Sequence, residues 1–144
     1  MRVCTPIAIR YAETDKMGVV YHANYLLYFE DARTHFLETI GYPYALVEEA
    51  GLLSPVVDLQ ITYGAPLRYG DVAVVRTRII SSRPTKTVYA YEIFREGQDL
   101  DHDRPLCTAQ STHCLVDAET FKPVSVKRAC PRLYELYNQA VEEE

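Results

Sequence analysis

The pattern of apolar and polar positions predicts a chain in which one long helix interrupts a series of strands. The opening segment, residues 3–11, alternates with a period of two and is expected to form a strand that includes Tyr11. Between residues 24 and 40 the period changes to that of a helix. The apolar residues on its buried face are Tyr25, Phe29, Ala32, Phe36 and Ile40. We expect Asn24 to cap this helix, and Gly41 with Pro43 to end it.

The pattern beyond the long helix predicts a short helix, four further strands and a terminal helix. Residues 44–50 are expected to form the short helix, with Pro43 at its first position and Gly51 at its end. Segments with a period of two follow at 57–63, 72–80, 87–95 and 106–116, and an amphipathic helix follows at 131–141. Hairpin-length connections favour an antiparallel sheet, which a long helix with one apolar face can cover. The predicted fold class is α+β, with a long central helix wrapped by a curved antiparallel sheet of about five strands.

Length and charge narrow the possible functions. The 144 residues suit a single domain, 1–144, and the net charge of −5 with scattered Lys and Arg argues against a nucleic-acid partner. Neither a leader with a long apolar core nor an apolar run of membrane-spanning length is visible. The four cysteines lack metal-ligand spacing. We therefore expect a cytoplasmic protein with no metal site and no transmembrane segment.

The residues with the clearest chemical potential lie just before and at the start of the long helix. Asp15 falls in a predicted turn with Gly18, and His22 falls where the helix begins. The first turn of a helix offers N–H groups without intrahelical partners, which can stabilise a carbonyl oxygen as it becomes an oxyanion. A nearby carboxylate can activate water or attack the carbonyl itself. Purely structural roles for these residues are also open. Asp15 can be a turn or capping residue, His22 can be hydrogen-bonded to the backbone, and Gly18 can serve only a turn with positive φ.

The stretch RYAETDKMGVVYHANYLLYFEDAR, residues 10–33, resembles the signature of the 4-hydroxybenzoyl-CoA thioesterase family of hotdog proteins. Its GVVYH followed by Asn and Tyr is most similar to the Tol–Pal-associated acyl-CoA thioesterase branch of that family. The resemblance implies that Asp15 and His22 are catalytic and that the His22 backbone N–H serves the oxyanion. It also implies positioning roles for Gly18 and Tyr11.

The resemblance implies an acyl-CoA thioester hydrolase that needs no cofactor. Its substrate is an acyl-CoA or acyl-carrier-protein thioester, and Asp15 acts as general base or nucleophile. The site is expected at the interface of a homodimer or homotetramer whose sheets join. Arg83 and Lys86, in the turn between two predicted strands, are candidates for binding the CoA phosphates, although ordinary solvated cations fit the same pattern.

Two other readings of the same fold remain open. A dehydratase or hydratase would need an acid on the central helix, and Glu30 or Glu38 would have to take that role. A non-catalytic module that binds acyl-CoA or acyl-carrier protein would not need Asp15 beside a carbonyl. The sequence does not define the acyl group, and His113 and Cys107 are read as structural residues.

Overall fold

The computed structural model describes residues 1–142. Two short 3-10 turns, Tyr11–Glu13 and His22–Asn24, precede the first α-helix. The elements in chain order are β1 (Arg2–Ala8), α1 (Tyr25–Thr39), α2 (Tyr44–Glu49), β2 (Leu52–Leu53), β3 (Val56–Tyr63), β4 (Val72–Arg83), β5 (Lys86–Arg95), β6 (Cys107–His113), β7 (Leu115–Asp117), β8 (Pro123–Val124), α3 (Val126–Ala129) and α4 (Pro131–Ala140).

Five strands form one antiparallel sheet in the order β1-β4-β5-β6-β3. A second, small antiparallel sheet has the order β2-β7-β8. The long helix α1 lies against the larger sheet and buries one face there, including Phe29 and Phe36. Phe29 stacks on Tyr91 of β5 with 4.6 Å between ring centroids. The predicted α+β architecture, a long helix wrapped by a five-stranded antiparallel sheet, is confirmed.

The first strand is shorter than the period-two pattern predicts. β1 ends at Ala8, the Ile9 N–H donates to the Asp71 carbonyl oxygen, and the chain then enters the 3-10 turn Tyr11–Glu13. Tyr11 is consequently 76% exposed and not a strand residue. The predicted strand was too long because the alternation of apolar residues in the sequence continues beyond Ala8, the last residue that pairs with β4.

The helix start also differs from the prediction. Asn24 has helical backbone angles and makes no capping hydrogen bond; its side-chain amide donates to the Glu13 carbonyl oxygen at 2.8 Å. The long helix is therefore entered through the turn His22–Asn24. Likewise Pro43 lies just outside α2, in an extended conformation at the cap position.

The predicted strand over 106–116 is divided between the two sheets. β6 ends at His113, and β7 pairs with β2 and β8 instead of continuing in the larger sheet. At the edge of the larger sheet, β3 pairs only with β6, and seven of its eight residues are exposed. This exposed edge strand runs beside the start of α1, since Tyr63 contacts His22.

Candidate active site

Asp15 lies at the first position of a tight turn. Its backbone N–H donates to the Val19 carbonyl oxygen at 2.9 Å, and the Gly18 N–H donates to the Asp15 carbonyl oxygen at 3.0 Å. Gly18 has φ +78°, a left-handed conformation that glycine adopts without steric cost. Asp15 Oδ1 accepts a hydrogen bond from the Met17 N–H at 2.8 Å. The turn fixes the carboxylate and leaves Oδ2 without a hydrogen bond or ion pair within residues 1–142.

Gly18 acts on this turn through its backbone conformation. Because its N–H is already used by the Asp15 carbonyl oxygen, it is not an open donor for a substrate oxygen. Its Cβ position is sterically open, so the positive φ, and not a lack of space, favours glycine here. Gly18 closes the turn that holds Asp15.

The start of the helix provides two unused backbone donors. In the turn His22–Asn24, the first helical hydrogen bond is made by the Asn24 N–H to the Tyr21 carbonyl oxygen. The N–H groups of His22 and Ala23 make no hydrogen bond with any residue in 1–142. His22 lies three residue steps beyond Val19, which pairs with Asp15, and these steps span at most about 11 Å. The turn that holds Asp15 and the helix start with its open donors are thus joined by a short segment.

Buried Glu13 connects the Asp15 turn to the start of the helix. Its carbonyl oxygen accepts from the Tyr21 N–H and from the Asn24 side chain. Its carboxylate accepts from the Arg10 N–H at 2.8 Å and from the Tyr28 hydroxyl at 3.2 Å. Burial, with the Glu13 charge adding to it, raises the pKa of Tyr28. The sequence alone could not show this role of Glu13, because its partners include Tyr28 on α1 and Asn24 at the helix start.

Tyr63 on the edge strand fixes the backbone at His22. Its hydroxyl donates to the His22 carbonyl oxygen at 2.7 Å, and its ring lies edge-on to the His22 imidazole with 6.3 Å between centroids. The His22 ring also contacts Tyr21 at 4.5 Å. The His22 side chain is exposed and has no hydrogen bond to Asp15 or to any other residue in 1–142. Within one chain, Asp15 and His22 do not form a hydrogen-bonded pair.

The remaining predicted residues lie at different distances from this site. Tyr11 is in the turn that leads to Asp15, and its exposed ring contacts Tyr69 edge-on at 5.7 Å. Arg83 and Lys86 form the hairpin between β4 and β5, whereas the other end of β4 follows Asp71, close to the Asp15 side of the molecule. Eleven residues of strand separate Val72 from Arg83, about 36 Å. Within one chain the structure does not bring these cations to Asp15.

Two features are absent from residues 1–142, the described range. No group of three or more His, Cys, Asp or Glu side chains in that range is arranged to hold a metal ion. Its helices include none with the length and apolarity needed to cross a membrane.

Comparison with known proteins gives a consistent result. A family model described as the thioesterase-like superfamily matches residues 9–132. The putative acyl-CoA thioesterase YneP of Bacillus subtilis is 45% identical over 134 residues, covering 93% of this chain and 94% of that protein. The acyl-CoA thioesterase YbgC of Haemophilus influenzae is 34% identical over 121 residues, covering 83% and 85%.

The structural comparison agrees with the sequence comparison. The crystal structure of a DHNA-CoA thioesterase from Staphylococcus aureus superimposes with a TM-score of 0.90 at 36% identity, covering 96% of this chain and 89% of that one. The predicted hotdog thioesterase fold is thereby confirmed. From its matched sequence and its fold, this chain belongs to the thioesterase-like superfamily.

Proposed function

We propose that this protein hydrolyses acyl-CoA thioesters to the free acid and CoA, with Asp15 as the catalytic carboxylate. One observation carries the proposal: the Asp15 turn presents its carboxylate beside a helix start whose His22 and Ala23 N–H groups are unpaired. The names of the similar proteins, acyl-CoA thioesterases from Bacillus subtilis and Haemophilus influenzae, support the same substrate class.

The proposed chemistry uses the Asp15 carboxylate together with the unpaired N–H groups of His22 and Ala23. The thioester carbonyl oxygen accepts hydrogen bonds from the unpaired N–H groups, which hold the negative charge that develops during attack. Asp15 either takes a proton from the attacking water or attacks the carbonyl carbon itself and is released by water afterwards. In both routes a C–O bond forms, the C–S bond breaks, and the thiol leaves with a proton. A thiol with a pKa near ~8.5 needs little assistance in leaving, which suits a site with few polar groups.

The His22 side chain has a supporting role in this proposal. Its ring is exposed beside the unpaired N–H groups and has both nitrogens free of hydrogen bonds within residues 1–142. It orients the thioester or polarises its carbonyl, while the backbone of the same residue supplies the oxyanion donor.

The protein works as a dimer in this proposal. Apolar side chains are exposed along β3 and the adjoining face of α1: Val57 at 52%, Leu59 at 37%, Leu26 at 40% and Leu27 at 48%. An uncovered edge strand with apolar side chains favours pairing with another chain. A second copy that pairs its own β3 would join the two five-stranded sheets, cover these residues and close the site. Two such dimers make the expected homotetramer.

Several finer features belong to the same proposal. His22 within GVVYH favours the Tol–Pal-associated branch of the family. Arg83 and Lys86, distant from Asp15 in one chain, would bind CoA phosphates only from another subunit of the assembly. The cytoplasm is the expected location, because CoA thioesters are its substrates and the cysteines are not paired.

The test is release of free thiol from short, long and aromatic acyl-CoAs, combined with calorimetric binding of each acyl-CoA. Turnover of at least one class supports the hydrolase. Binding without turnover of any thioester would support instead the non-catalytic binding module, whose fold would be the same.

A further inference from the structure

A cavity with both apolar and polar walls lies along α1, away from the Asp15 turn. Its volume is about 340 Å³, and it opens between α1, α2, the start of β3 and the end of β6. Apolar walls come from Leu37, Val47 and Leu115, and polar groups come from Arg33, Tyr44 and His113. A mixed lining of this kind suits an apolar ligand that carries one polar group.

The cavity and the catalytic end lie on one face of the same helix. Residues three or four apart on a helix are neighbours, and Glu30, Arg33, Thr34 and Leu37 all line the cavity. The same face continues towards the helix start with the exposed Leu27, Leu26 and Ala23. From Ala23 to Arg33 the axial rise is about 15 Å. Leu26 and Leu27 therefore lie on the helix face between the unpaired N–H groups and the cavity.

Arg33 brings an uncompensated positive charge into this cavity. Its side chain is partly buried, and Nη1 donates to the Tyr91 hydroxyl oxygen at 3.1 Å. No carboxylate oxygen lies within 4.0 Å of its guanidinium within the described range 1–142, and Glu30 on the same face forms no ion pair with it. A guanidinium has five N–H donors in a planar fork that matches a carboxylate. Most of the N–H donors of the Arg33 guanidinium therefore remain available to a ligand in the cavity.

The side chains linked to Arg33 by successive hydrogen bonds, Tyr91, Ser111 and His113, are neutral at pH 7. Because the guanidinium donates to the Tyr91 oxygen, the Tyr91 proton points on to Ser111 Oγ at 2.7 Å, and Ser111 in turn donates to His113 Nε2 at 2.8 Å. Burial first, and the Arg33 charge second, lower the pKa of His113 to about 4. This chain of hydrogen bonds holds the Arg33 side chain in place without neutralising its charge.

Two phenols add further donors to the cavity. The Tyr44 hydroxyl accepts from the Ser54 N–H at 3.2 Å, and the Tyr137 hydroxyl accepts from the Tyr89 hydroxyl at 3.0 Å. Each therefore has its own proton available for an acceptor. With Arg33, they give the cavity several hydrogen-bond donors, and the Glu30 carboxylate, which forms no ion pair with Arg33, is an acceptor in the same lining.

We propose that this cavity binds the far end of the acyl group and selects acyl groups that carry a carboxylate there, with Arg33 as its partner. The proposal rests on the proposed thioesterase function and adds its substrate class: thioesters of dicarboxylic acids, with the thioester at the helix start and the free carboxylate in the cavity. At roughly 30 Å³ per water-sized atom, the cavity holds about ten non-hydrogen atoms, enough for the carboxylate and the chain next to it.

The test compares suberoyl-CoA with octanoyl-CoA, which differ only in the terminal carboxylate. We expect wild type to have a kcat/KM at least ~10-fold higher for suberoyl-CoA, the usual size of one charge-assisted contact. Arg33→Gln should lower the value for suberoyl-CoA by ~10–100-fold and change that for octanoyl-CoA by less than ~3-fold. Arg33→Lys, which keeps the charge but loses the fork, should retain part of the preference. Arg104→Gln, an exposed arginine on the β5–β6 loop, is the matched control and should change neither.

Two outcomes overturn the proposal: equal turnover of both substrates by wild type, or equal losses for both in Arg33→Gln, which would mean a structural role. If neither of these two thioesters is hydrolysed, calorimetry with free suberate and octanoate tests the cavity alone, and the wider acyl-CoA panel decides the proposed function separately. Suberate should bind wild type, and Arg33→Gln should abolish that binding; suberate that binds no better than octanoate contradicts the assignment.

Discussion

The Tyr63 hydroxyl donates a hydrogen bond of 2.7 Å to the His22 carbonyl oxygen, joining the exposed edge strand to the start of the long helix. This bond fixes the peptide next to the unpaired N–H groups. An oxyanion donor is useful only if its direction is set before the reaction, because reorientation during attack would cost free energy. The edge strand thus supports the proposed active site as well as the predicted dimer contact.

Removal of this bond should lower activity more than stability. We expect Tyr63→Phe to reduce kcat by about 5–30-fold while the free energy of unfolding falls by about 0.5–1.5 kcal/mol, the usual net value of one hydrogen bond. Steady-state kinetics and urea unfolding measure the two quantities. Tyr69→Phe, an exposed tyrosine whose hydroxyl has no partner within residues 1–142, is the control. Equal kcat values for Tyr63→Phe and the control would refute this role.

Loss of the Glu13 side chain should loosen the connection between the Asp15 turn and the helix. Glu13→Ala leaves the Arg10 N–H and the buried Tyr28 hydroxyl without their acceptor, at a cost of about 1–3 kcal/mol in unfolding free energy. Urea denaturation measures this value. Glu135→Ala on α4 is the control, because its ion pair with Arg132 is exposed and should contribute less than about 1 kcal/mol. A Glu13 variant as stable as this control would contradict the structural role.

Acid should weaken the fold through His113. Its pKa is about 4 in the folded chain and near 6.5 when unfolded, so the unfolded chain binds more protons between these values. Stability is therefore complete above pH 6.5 and is lost as the pH falls towards 4. Between pH 7 and pH 5 we expect the unfolding free energy to drop by about 2 kcal/mol on account of this residue.

The variant His113→Gln provides the comparison for this pH effect. Its amide oxygen can still accept from the Ser111 hydroxyl, but the side chain does not titrate. Urea unfolding across pH 5–7 should show a smaller pH dependence in the variant than in wild type. Parallel curves for the two proteins would show that His113 is not the titrating group.

A charge on the edge strand should disrupt the predicted dimer. Leu59→Lys places an ammonium on an exposed apolar position of β3, and edge lysines oppose strand pairing. Light scattering should then report a monomer, together with a loss of thioesterase activity. Phe121→Lys, at a 61% exposed site in the β7–β8 turn, should keep the wild-type mass. A Leu59 variant that remains dimeric would place the interface elsewhere.

The sequence pattern was most informative where local periodicity determines structure. The predicted helix over 24–40 is observed as α1, Tyr25–Thr39, and β3, β4 and β5 lie within three residues of their predicted bounds. Periodicity measures only the burial of one face, however. It could not show that β1 stops at Ala8, because pairing with β4 sets that end.

The details of the site depend on contacts between residues far apart in the chain. Tyr63 approaches His22 only because β3 is the edge strand next to the helix start. The Glu13 carboxylate reaches Tyr28 only because the turn before α1 folds back on it. The family signature identified Asp15, His22 and Gly18 as candidates without any such contact, because a signature depends only on the order of residue types along the chain. The sequence could not reveal the cavity at Arg33, because this cavity forms only where α1, α2, β3 and β6 meet in the folded chain.

The central claim is that the Asp15 carboxylate performs the chemistry. Asp15→Asn keeps an oxygen that can accept from the Met17 N–H, so the turn should persist while the charge is lost. With Asp31→Asn on the exposed side of α1 as control, kcat for the best acyl-CoA substrate should fall by ~100-fold or more in the Asp15 variant only. A folded Asp15→Asn protein that retains wild-type kcat would contradict the mechanism.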